Sequence, residues 1–394
     1  MVLIIFIVLV CYVSIFNDFL PKTRFGSGIP DIDAFRALSY LLVIGSTSHW
    51  AIKKDIRFFN RWLITLLAFY IIVFASVAWS NFNYSAAILR QLFDTTFITF
   101  FIALVALNLF KKENNARLYI KNIIFTAFVL SIISVLQVVL GFLQGEIAMR
   151  ATGTFTNPNK LAILLVLTIP CLLYAKEKFF IPKLFWWITT ISVITGVIVT
   201  ASRKGIITMF ICFCLYSFLK KKYKQLAYIL IAFIFLGVGI SGFSMVSDRF
   251  EQTFFSKSLH AKWELTYAGL QMFAESPLYG LGFEVYREHY ADYFPDRHRK
   301  KYSAHNMFIT AAANFGVIGF IPFLSLFFIP LFASYKTIRN KNKNNNEHSS
   351  DMAIICIASI IPFMINGWFA DIFFSTINIS LLFSNISLFL TVKK

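Results

Sequence analysis

The stretch Glu275-Ser276-Pro277-Leu278-Tyr279-Gly280-Leu281-Gly282-Phe283 lies inside a long polar insertion that runs from about Met245 to Tyr302. Apolar sequence resumes at Ala304-His305-Asn306, and four of the six histidines lie between His260 and His305. Almost all of the sequence before and after the insertion is apolar enough to form membrane helices. The insertion is therefore the one long segment with enough polar side chains to build a chemical site.

The composition indicates a polytopic membrane protein. The chain has 394 residues, of which 58% are hydrophobic and 14% are charged, so it carries more apolar surface than a soluble protein of this length can bury. We predict an all-α fold of about twelve transmembrane helices, since the apolar runs have lengths near the roughly 20 residues that cross a bilayer. Residues 1–394 would form a single integral membrane domain, with 245–305 as a helical external loop between spans nine and ten. The approximate ranges of the runs are 2–20, 34–52, 62–79, 86–110, 118–143, 159–175, 184–201, 205–219, 225–244, 306–333, 352–369 and 372–391.

The positions of the basic residues predict how the spans are oriented. A net charge of +18 can indicate nucleic-acid binding, but here Lys and Arg are concentrated in alternate connections, with four in each of the second, fourth, eighth and tenth. This pattern is typical of cytoplasmic loops. We therefore predict that both termini are cytoplasmic, that the ninth connection faces outward, and that the protein contacts membrane lipids and no nucleic acid. The first run has no basic start and no small-residue cleavage site, so we interpret it as a retained helix.

Two arginine segments stand apart from this pattern. Arg150 lies in the fifth connection, Gly145–Asn159, for which an ordinary turn with one surface arginine is the competing interpretation. Arg203 and Lys204 separate two apolar runs on the outer side, where the positive-inside rule disfavours cations. A cation held near the membrane usually has a partner or a function, although the longer stem of a lysine can carry its charge to water.

Local patterns predict further structure around the insertion. Apolar residues of 263–273 recur at helical spacing, so this segment is expected to form a helix that lies flat on the membrane and ends before the Ser-Pro step. Gly280 and Gly282 permit a tight or left-handed turn. In the fourth run, Arg90 and Asp94 are four residues apart, which predicts a structural ion pair on one helix face.

Three sequence patterns occur in order along the chain. They are Arg150-x-x-Gly153-x-Phe155-x-Asn157-Pro158-Asn159, then Ser202-Arg203-x-Gly205, then Ser276-Pro277-Leu278-x-Gly280-x-Gly282 followed by His305-Asn306 and Gly316-x-x-Gly319. In their order, spacing and common outer location they resemble the O-antigen ligase and polymerase superfamily. The resemblance covers about 150–320, and the twelve-span layout extends it to the whole chain.

The resemblance implies a GT-C-like glycosyltransferase of the bacterial inner membrane, with its active site on the periplasmic face. Such an enzyme takes a glycan from an undecaprenyl-pyrophosphate-linked oligosaccharide and passes it to lipid A core sugar or to another lipid-linked glycan. The family pattern places pyrophosphate-binding arginines at Arg150 and Arg203 and a catalytic histidine at His305. Lys262 stands where the family commonly carries a further arginine, so a point charge replaces a bidentate fork there. The other residues predicted to bind substrate are Asn306, Asn157, Lys204, Gly280 and Gly282.

Elementary chemistry agrees with these roles. The departing lipid pyrophosphate gains negative charge, which guanidinium groups stabilise well in a site of low dielectric constant. A sugar hydroxyl must lose a proton as it attacks, and a histidine that titrates near neutrality suits this task. His289 and His298 lack the anchoring that His305 has at the start of a span. Glu284 and Asp292 are the alternative bases.

The predicted reaction needs no cofactor. No compact Asp-x-Asp or His-Glu-x-x-His pattern appears in the outer loops, and all five cysteines fall in apolar runs without metal-ligand spacing. We therefore predict metal-independent transfer by a single displacement, which inverts the anomeric carbon.

Two alternatives stay open from the sequence. A multi-span transporter or flippase of lipid-linked or soluble substrates would place its polar residues near mid-membrane, where Asn366, Asn378 and Asn385 are candidates. Within the transferase class, a ligase and a polymerase share the donor and the basic site and differ only in the acceptor, so both are kept.

Overall fold

The computed structural model describes residues 2–8, 10, 39–46, 60–80, 82–145, 150–155, 157–241, 257–293, 304–340, 347–370, 372–373 and 375–392, and their side chains except those of 87, 233–241 and 257–262. These ranges contain helices and no strand, which confirms the predicted all-α class. Predictions that fall elsewhere, among them the one on His298, lie outside the described residues.

The helices are numbered here in chain order. They are α1 (Val2–Ile7), α2 (39–46), α3 (Arg61–Trp79), α4 (Ala86–Leu109), α5 (Glu113–Leu143), α6 (Pro158–Glu177), α7 (Lys183–Val199), α8 (Arg203–Leu219), α9 (Tyr223–Ser241), α10 (Lys257–Glu275), α11 (Val285–His289), α12 (Met307–Arg339), α13 (Glu347–Trp368) and α14 (Thr376–Val392). A short 3-10 helix, Tyr290–Tyr293, follows α11.

The helices confirm a polytopic membrane protein. Six of them, namely α3, α4, α5, α6, α12 and α13, are long and apolar enough to cross a membrane, and α7 and α14 are shorter apolar helices. From α3 onward, ten helices coincide with ten of the twelve predicted apolar runs. The count of twelve spans stays a prediction, because runs 2–20 and 34–52 lie largely outside the described residues.

Polar N-cap residues set the start of several helices. An orphan amide at a helix start needs an acceptor, and Asn or Ser supplies one from its side chain. The side-chain caps are Asn60, Ser85, Asn157, Ser202 and Asn306, which begin α3, α4, α6, α8 and α12. At the start of α6, the Asn157 cap is followed by Pro158 in the first turn.

At one end of the bundle, which we call the lysine end, a buried ionic cluster joins α6, α8 and α13. The Asp351 side chain is 0% exposed and lies 2.7 Å from Lys220 Nζ and 3.0 Å from Lys178 Nζ. Lys220 also pairs with Glu177, which holds Lys222 at 2.8 Å. Connections six, eight and ten therefore meet at one end, as the predicted alternation requires.

The opposite end carries the three sequence patterns, and we call it the motif end. Here α7 and α13 finish, and α6, α8 and α12 begin. Lys204 Nζ at the start of α8 lies 3.3 Å from the Phe369 carbonyl after α13. The backbone of Gly367 near the end of α13 packs directly against the Met307 side chain, which begins α12.

Helix α12 is broken at Gly316, whose φ of 57° and ψ of −165° are not helical. A break leaves backbone groups without helical partners, and inside a membrane these must be satisfied by protein. The loop after α10 supplies the partners through backbone bonds on both sides of the break. The four bonds are Leu281 N to Ala313 O (3.0 Å), Gly282 N to Asn314 O (2.9 Å), Val317 N to Pro277 O (2.8 Å) and Ile318 N to Leu278 O (3.1 Å).

Candidate active site

The loop of the first pattern is fixed to two helices. Arg150 Nε donates to the Thr200 carbonyl at 2.9 Å, and the Ala151 amide donates to the Val199 carbonyl at 3.0 Å. On the other side, Gln137 Oε1 accepts the amides of the next two residues, each at 2.9 Å. The guanidinium of Arg150 is therefore held at the end of α7, three residues before Arg203.

The second pattern is tied to the first through a side-chain bond. Ser202 caps α8 by accepting the Gly205 amide at 3.3 Å, and its hydroxyl donates to Asn159 Oδ1 at 2.8 Å. Gly205 also allows close packing of α8 on α6, because an added Cβ would lie 2.7 Å from that of Ala162. The structure thus brings the Arg150 loop and the start of α8 together, although about fifty residues separate them in the sequence.

His305 lies in the turn that leads into α12. Its φ is 50°, a left-handed conformation that is uncommon for a residue with a Cβ, and the residue is exposed. Its two neighbours are buried, and Asn306 accepts the Phe308 amide at 2.9 Å as the N-cap of α12. The histidine is therefore presented at the surface by a backbone that is fixed on both sides.

The C-terminus of α13 connects the arginine segment to the histidine segment. The Phe369 carbonyl accepts the Lys204 ammonium, as described above. The Trp368 ring packs on Phe308 of α12 with centroids 5.7 Å apart. Both segments therefore reach the end of α13, and His305 and Arg203 lie at the same end of the bundle.

The third pattern has a structural function in its glycines. Gly280 and Gly282 have φ values of 69° and 112°, which confirms the predicted left-handed turn. Beyond them, the Phe283 amide donates to Ser76 Oγ at 3.1 Å, and its carbonyl accepts the Tyr84 hydroxyl at 2.8 Å. The loop is therefore fastened to α3 and to the segment before α4 as well as to α12.

Burial raises the pKa of Tyr84 above its ordinary value. A hydrogen bond with Ser80 opposes this shift, and the nearby Glu284 carboxylate adds to it. The phenol stays protonated at neutral pH and so keeps its hydrogen bond to the loop.

Helix α10 has two apolar faces. Leu265, Ala268 and Met272 are buried in a small cluster with aromatic residues of 286–290. Trp263 and Tyr267 point away from that cluster and are 68% and 47% exposed. The predicted helix over 263–273 is confirmed, and its exposed aromatic face fits the expected position on the membrane surface. Lys262 lies on this helix, but its side chain is outside the described atoms.

The predicted ion pair in α4 is present. Arg90 Nε lies 3.8 Å from Asp94 Oδ2, and the Tyr40 hydroxyl donates to Asp94 Oδ1 at 2.9 Å. The carboxylate is buried and has two neighbours on different helices, so this pair has a structural role.

Sequence reasoning missed the residues that position the patterns. Gln137 and Asn159 hold the Arg150 loop and Ser202, and the Asn314 side chain accepts the Tyr286 amide at 3.1 Å. Two of them, Gln137 and Asn314, carry an amide side chain in an otherwise apolar run. Because a polar group in such a run needs a partner, this was the signal that could have identified them.

Arg150, Arg203 and His305 thus lie at one end of an all-helical membrane protein, where the Arg150 loop meets the start of α8. The fold and the candidate site therefore define an integral membrane protein whose candidate groups lie at one end of a helical bundle. Residues 188–324 match the family model described as O-Antigen ligase, which confirms the resemblance for that part of the chain. The matched region contains Arg203, the third pattern and His305, whereas Arg150 lies before it. A comparison with curated proteins gave no match. The family match and the apolar helices support a membrane glycan ligase or polymerase in general.

Proposed function

We propose that the protein is a glycosyltransferase that moves a glycan from undecaprenyl pyrophosphate to a sugar hydroxyl. The acceptor would be lipid A core sugar in a ligase or a lipid-linked glycan in a polymerase. The acceptor oxygen attacks the anomeric carbon, and the bond from that carbon to the pyrophosphate oxygen breaks with its electron pair. The configuration at the anomeric carbon inverts, because the displacement occurs once and uses no protein nucleophile.

The observation that carries this proposal is the hydrogen bond from Arg150 to the Thr200 carbonyl, which holds one guanidinium beside the start of α8. Arg203 is the first residue of α8, so two arginines are brought close together at the start of this helix. Helices α6, α8 and α12 all begin at this end of the bundle, and the N-terminus of a helix carries a partial positive charge. A departing pyrophosphate would gain stabilisation there from both sources.

His305 is proposed as the base that takes the proton of the attacking hydroxyl. It is exposed, stands at the same end as the two arginines, and is held in a defined position by the cap of α12. The sidedness of the membrane follows from the basic residues at the lysine end, which are expected to face the cytoplasm. The site would then face the periplasm, where Asn157, Lys204, Gly280 and Gly282 would contribute to binding.

One of the residues named for the transporter alternative has a structural role. Of its three candidate amides, Asn385 is used to join helices, since its side chain bonds the Leu167 carbonyl at 2.9 Å and Ser359 Oγ at 3.0 Å. The Tyr119 hydroxyl donates to the same side chain at 3.1 Å. This residue therefore has a packing role that needs no transported substrate.

Reconstitution tests the proposal. The full-length protein is placed in vesicles with lipid-linked oligosaccharide extracted from the host, and the expected products are free undecaprenyl pyrophosphate and a longer or newly attached glycan. Arg203→Ala is expected to abolish product formation, whereas Arg117→Ala at the lysine end, in an exposed pair with Glu113, is expected to retain it. Movement of the donor across the bilayer without chemical change would overturn the transferase proposal.

A further inference from the structure

A cavity lies at the motif end, on the outer side of the third pattern. It has a volume of about 640 Å³ and lies between the end of α3, the loop after α10, and the short helices of 285–293. Ser276 and Gly280 form part of its wall, so it shares this loop with the break in α12. Neither arginine of the proposed pyrophosphate site lines it.

Aromatic rings form one side of this cavity. Trp79 and Tyr279 have ring centroids 5.9 Å apart and lie at 63° to each other, and they are 38% and 53% exposed. Phe82 adds a third ring. The faces of aromatic rings carry partial negative charge and attract the weakly positive C–H groups of a flat apolar surface.

Carboxylates form the other side, and each already has a hydrogen-bond partner. Asp292 Oδ2 lies 2.8 Å from His289 Nδ1, and Glu275 hydrogen bonds the Tyr293 phenol. Burial and the bond to Glu275 raise the pKa of Tyr293, so the phenol remains a donor at neutral pH. Among the residues that the structure describes, no Lys or Arg lines the cavity.

We propose that this cavity is a carbohydrate subsite, distinct from the pyrophosphate site. A pyranose ring combines a C–H face, which stacks on Trp79 and Tyr279, with hydroxyl groups, which donate to Glu275 and Asp292. Carboxylates that are already paired keep acceptor capacity for hydroxyls and have less attraction for a free cation. The inference rests on the proposed glycan transfer and deepens it, because it separates the charged and sugar ends of the substrates.

The sugar ring has two sources with the same chemistry, namely the acceptor glycan and the glycan of the lipid-linked donor. Kinetics distinguish them, because loss of a subsite raises KM for the substrate that uses it. An increase confined to the acceptor assigns the cavity to the acceptor, and an increase confined to the donor assigns it to the donor glycan. Either result supports the subsite.

Direct binding is the primary test. The probe is oligosaccharide released by mild acid from the surface polysaccharide of the host, and binding to full-length protein in nanodiscs is measured by saturation-transfer NMR. Trp79→Ala and Tyr279→Ala are each expected to weaken binding by about two- to tenfold. Tyr279→Phe keeps the ring and is expected to bind normally. Matched controls at the other end of the bundle are Trp187→Ala and Tyr228→Ala, since both side chains are exposed.

The outcomes separate this inference from the proposed function. Unchanged oligosaccharide affinity and unchanged KM values in well-folded Trp79→Ala and Tyr279→Ala proteins would overturn the subsite while transfer activity stands. If the protein binds oligosaccharide through these rings but transfers no glycan, the subsite proposal stands and the transferase proposal is rejected. If Trp79→Ala fails to fold, the more exposed Tyr279 pair of variants decides the question alone.

Discussion

Gly316 in α12 and Gly280 in the preceding loop are in such close contact that a Cβ added to Gly316 would lie 2.6 Å from the Gly280 nitrogen. The same added atom would lie 2.4 Å from the carbonyl of Leu278. Both glycines also have positive φ values, 57° and 69°. At this contact the loop after α10 and the helix meet through their backbones, and glycine is required on both sides.

The first prediction is that Gly316→Ala destabilises the protein by more than its backbone conformation alone explains. A residue with a Cβ at the φ and ψ of Gly316 costs about 1–3 kcal/mol, because that region is essentially restricted to glycine. Gly145→Ala is the comparison for a positive φ without a contact, because Gly145 has a φ of 86° and open space around its added Cβ. At Gly316 the added atom meets backbone, which cannot move away as a side chain can. The midpoint of thermal unfolding in detergent is expected to be highest for the wild type, lower for Gly145→Ala and lowest for Gly316→Ala. Fluorescence-detected size-exclusion chromatography measures these midpoints. Equal midpoints for the two alanine variants would show that the contact is looser than described.

The second prediction concerns Arg150. Its Nε bond to the Thr200 carbonyl orients the guanidinium plane, and a lysine has no donor at that position of the side chain. Arg150→Lys is therefore expected to reduce transfer by about a hundredfold, the usual scale for loss of one positioned donor, while the unfolding midpoint changes little. Arg90→Lys is the control at the same end, because a lysine can keep the structural ion pair with Asp94. Equal activity of both lysine variants would remove Arg150 from the proposed mechanism.

The meeting of the first two patterns was predictable in part. Motif order and outer location indicated that Arg150 and Arg203 belong to one region, and apolar runs fixed most helices from α3 onward. The actual contacts were not predictable, because Arg150 bonds a main-chain carbonyl and Gln137 bonds main-chain amides. Backbone groups have the same chemistry at every position, so a sequence gives no sign of which of them a side chain will reach.

The docking of the third pattern into α12 shows the same limit. The glycines predicted a left-handed turn, and the structure has one. Nothing in the residue types at 276–282 shows that their amides and carbonyls complete a broken helix some thirty-five residues later. The match of donors to acceptors arises from the three-dimensional path of the loop, which depends on the intervening segment.

The third prediction separates the chemistry of His305 from its conformation. Asn tolerates the left-handed region better than most residues with a Cβ, so His305→Asn is expected to keep the φ of 50° without added strain. The variant lacks a group that titrates near neutrality, and we expect its transfer rate to fall by about a hundredfold or more. Product formation from the lipid-linked donor, measured beside the unfolding midpoint, checks both statements. His348→Gln at the lysine end is the control. A fully active His305→Asn protein would direct attention to Glu284 and Asp292 as bases.

The last prediction concerns the buried cluster at the lysine end, which the proposed reaction does not use. Lys220 is 9% exposed and serves both Asp351 and Glu177, whereas Lys222 is 43% exposed and pairs only with Glu177. Burial lowers the pKa of Lys220. Its hydrogen bonds with the two carboxylates raise the pKa by more than burial lowers it, so the pKa lies above the ordinary lysine value. A lysine whose pKa is raised in the folded state contributes stability at every pH below its unfolded pKa of about 10.4. That contribution is lost only as the pH rises through the folded pKa. The contribution of Lys220 is therefore constant across neutral pH.

Removal of one partner from a buried ion pair typically costs about 3–5 kcal/mol, because the remaining charge is left without compensation. After Lys220→Met, Asp351 keeps Lys178 and Glu177 keeps Lys222, so the expected loss in the free energy of unfolding is smaller, about 1.5–3 kcal/mol. Lys222→Met removes a solvent-screened pair and is expected to change it by about 0–1 kcal/mol. Denaturant unfolding in detergent at pH 6 and pH 8 measures both, and the difference between the variants should be the same at the two values. If Lys220→Met and Lys222→Met unfold alike, α6, α8 and α13 are held together by their apolar packing, and the ionic cluster adds little to it.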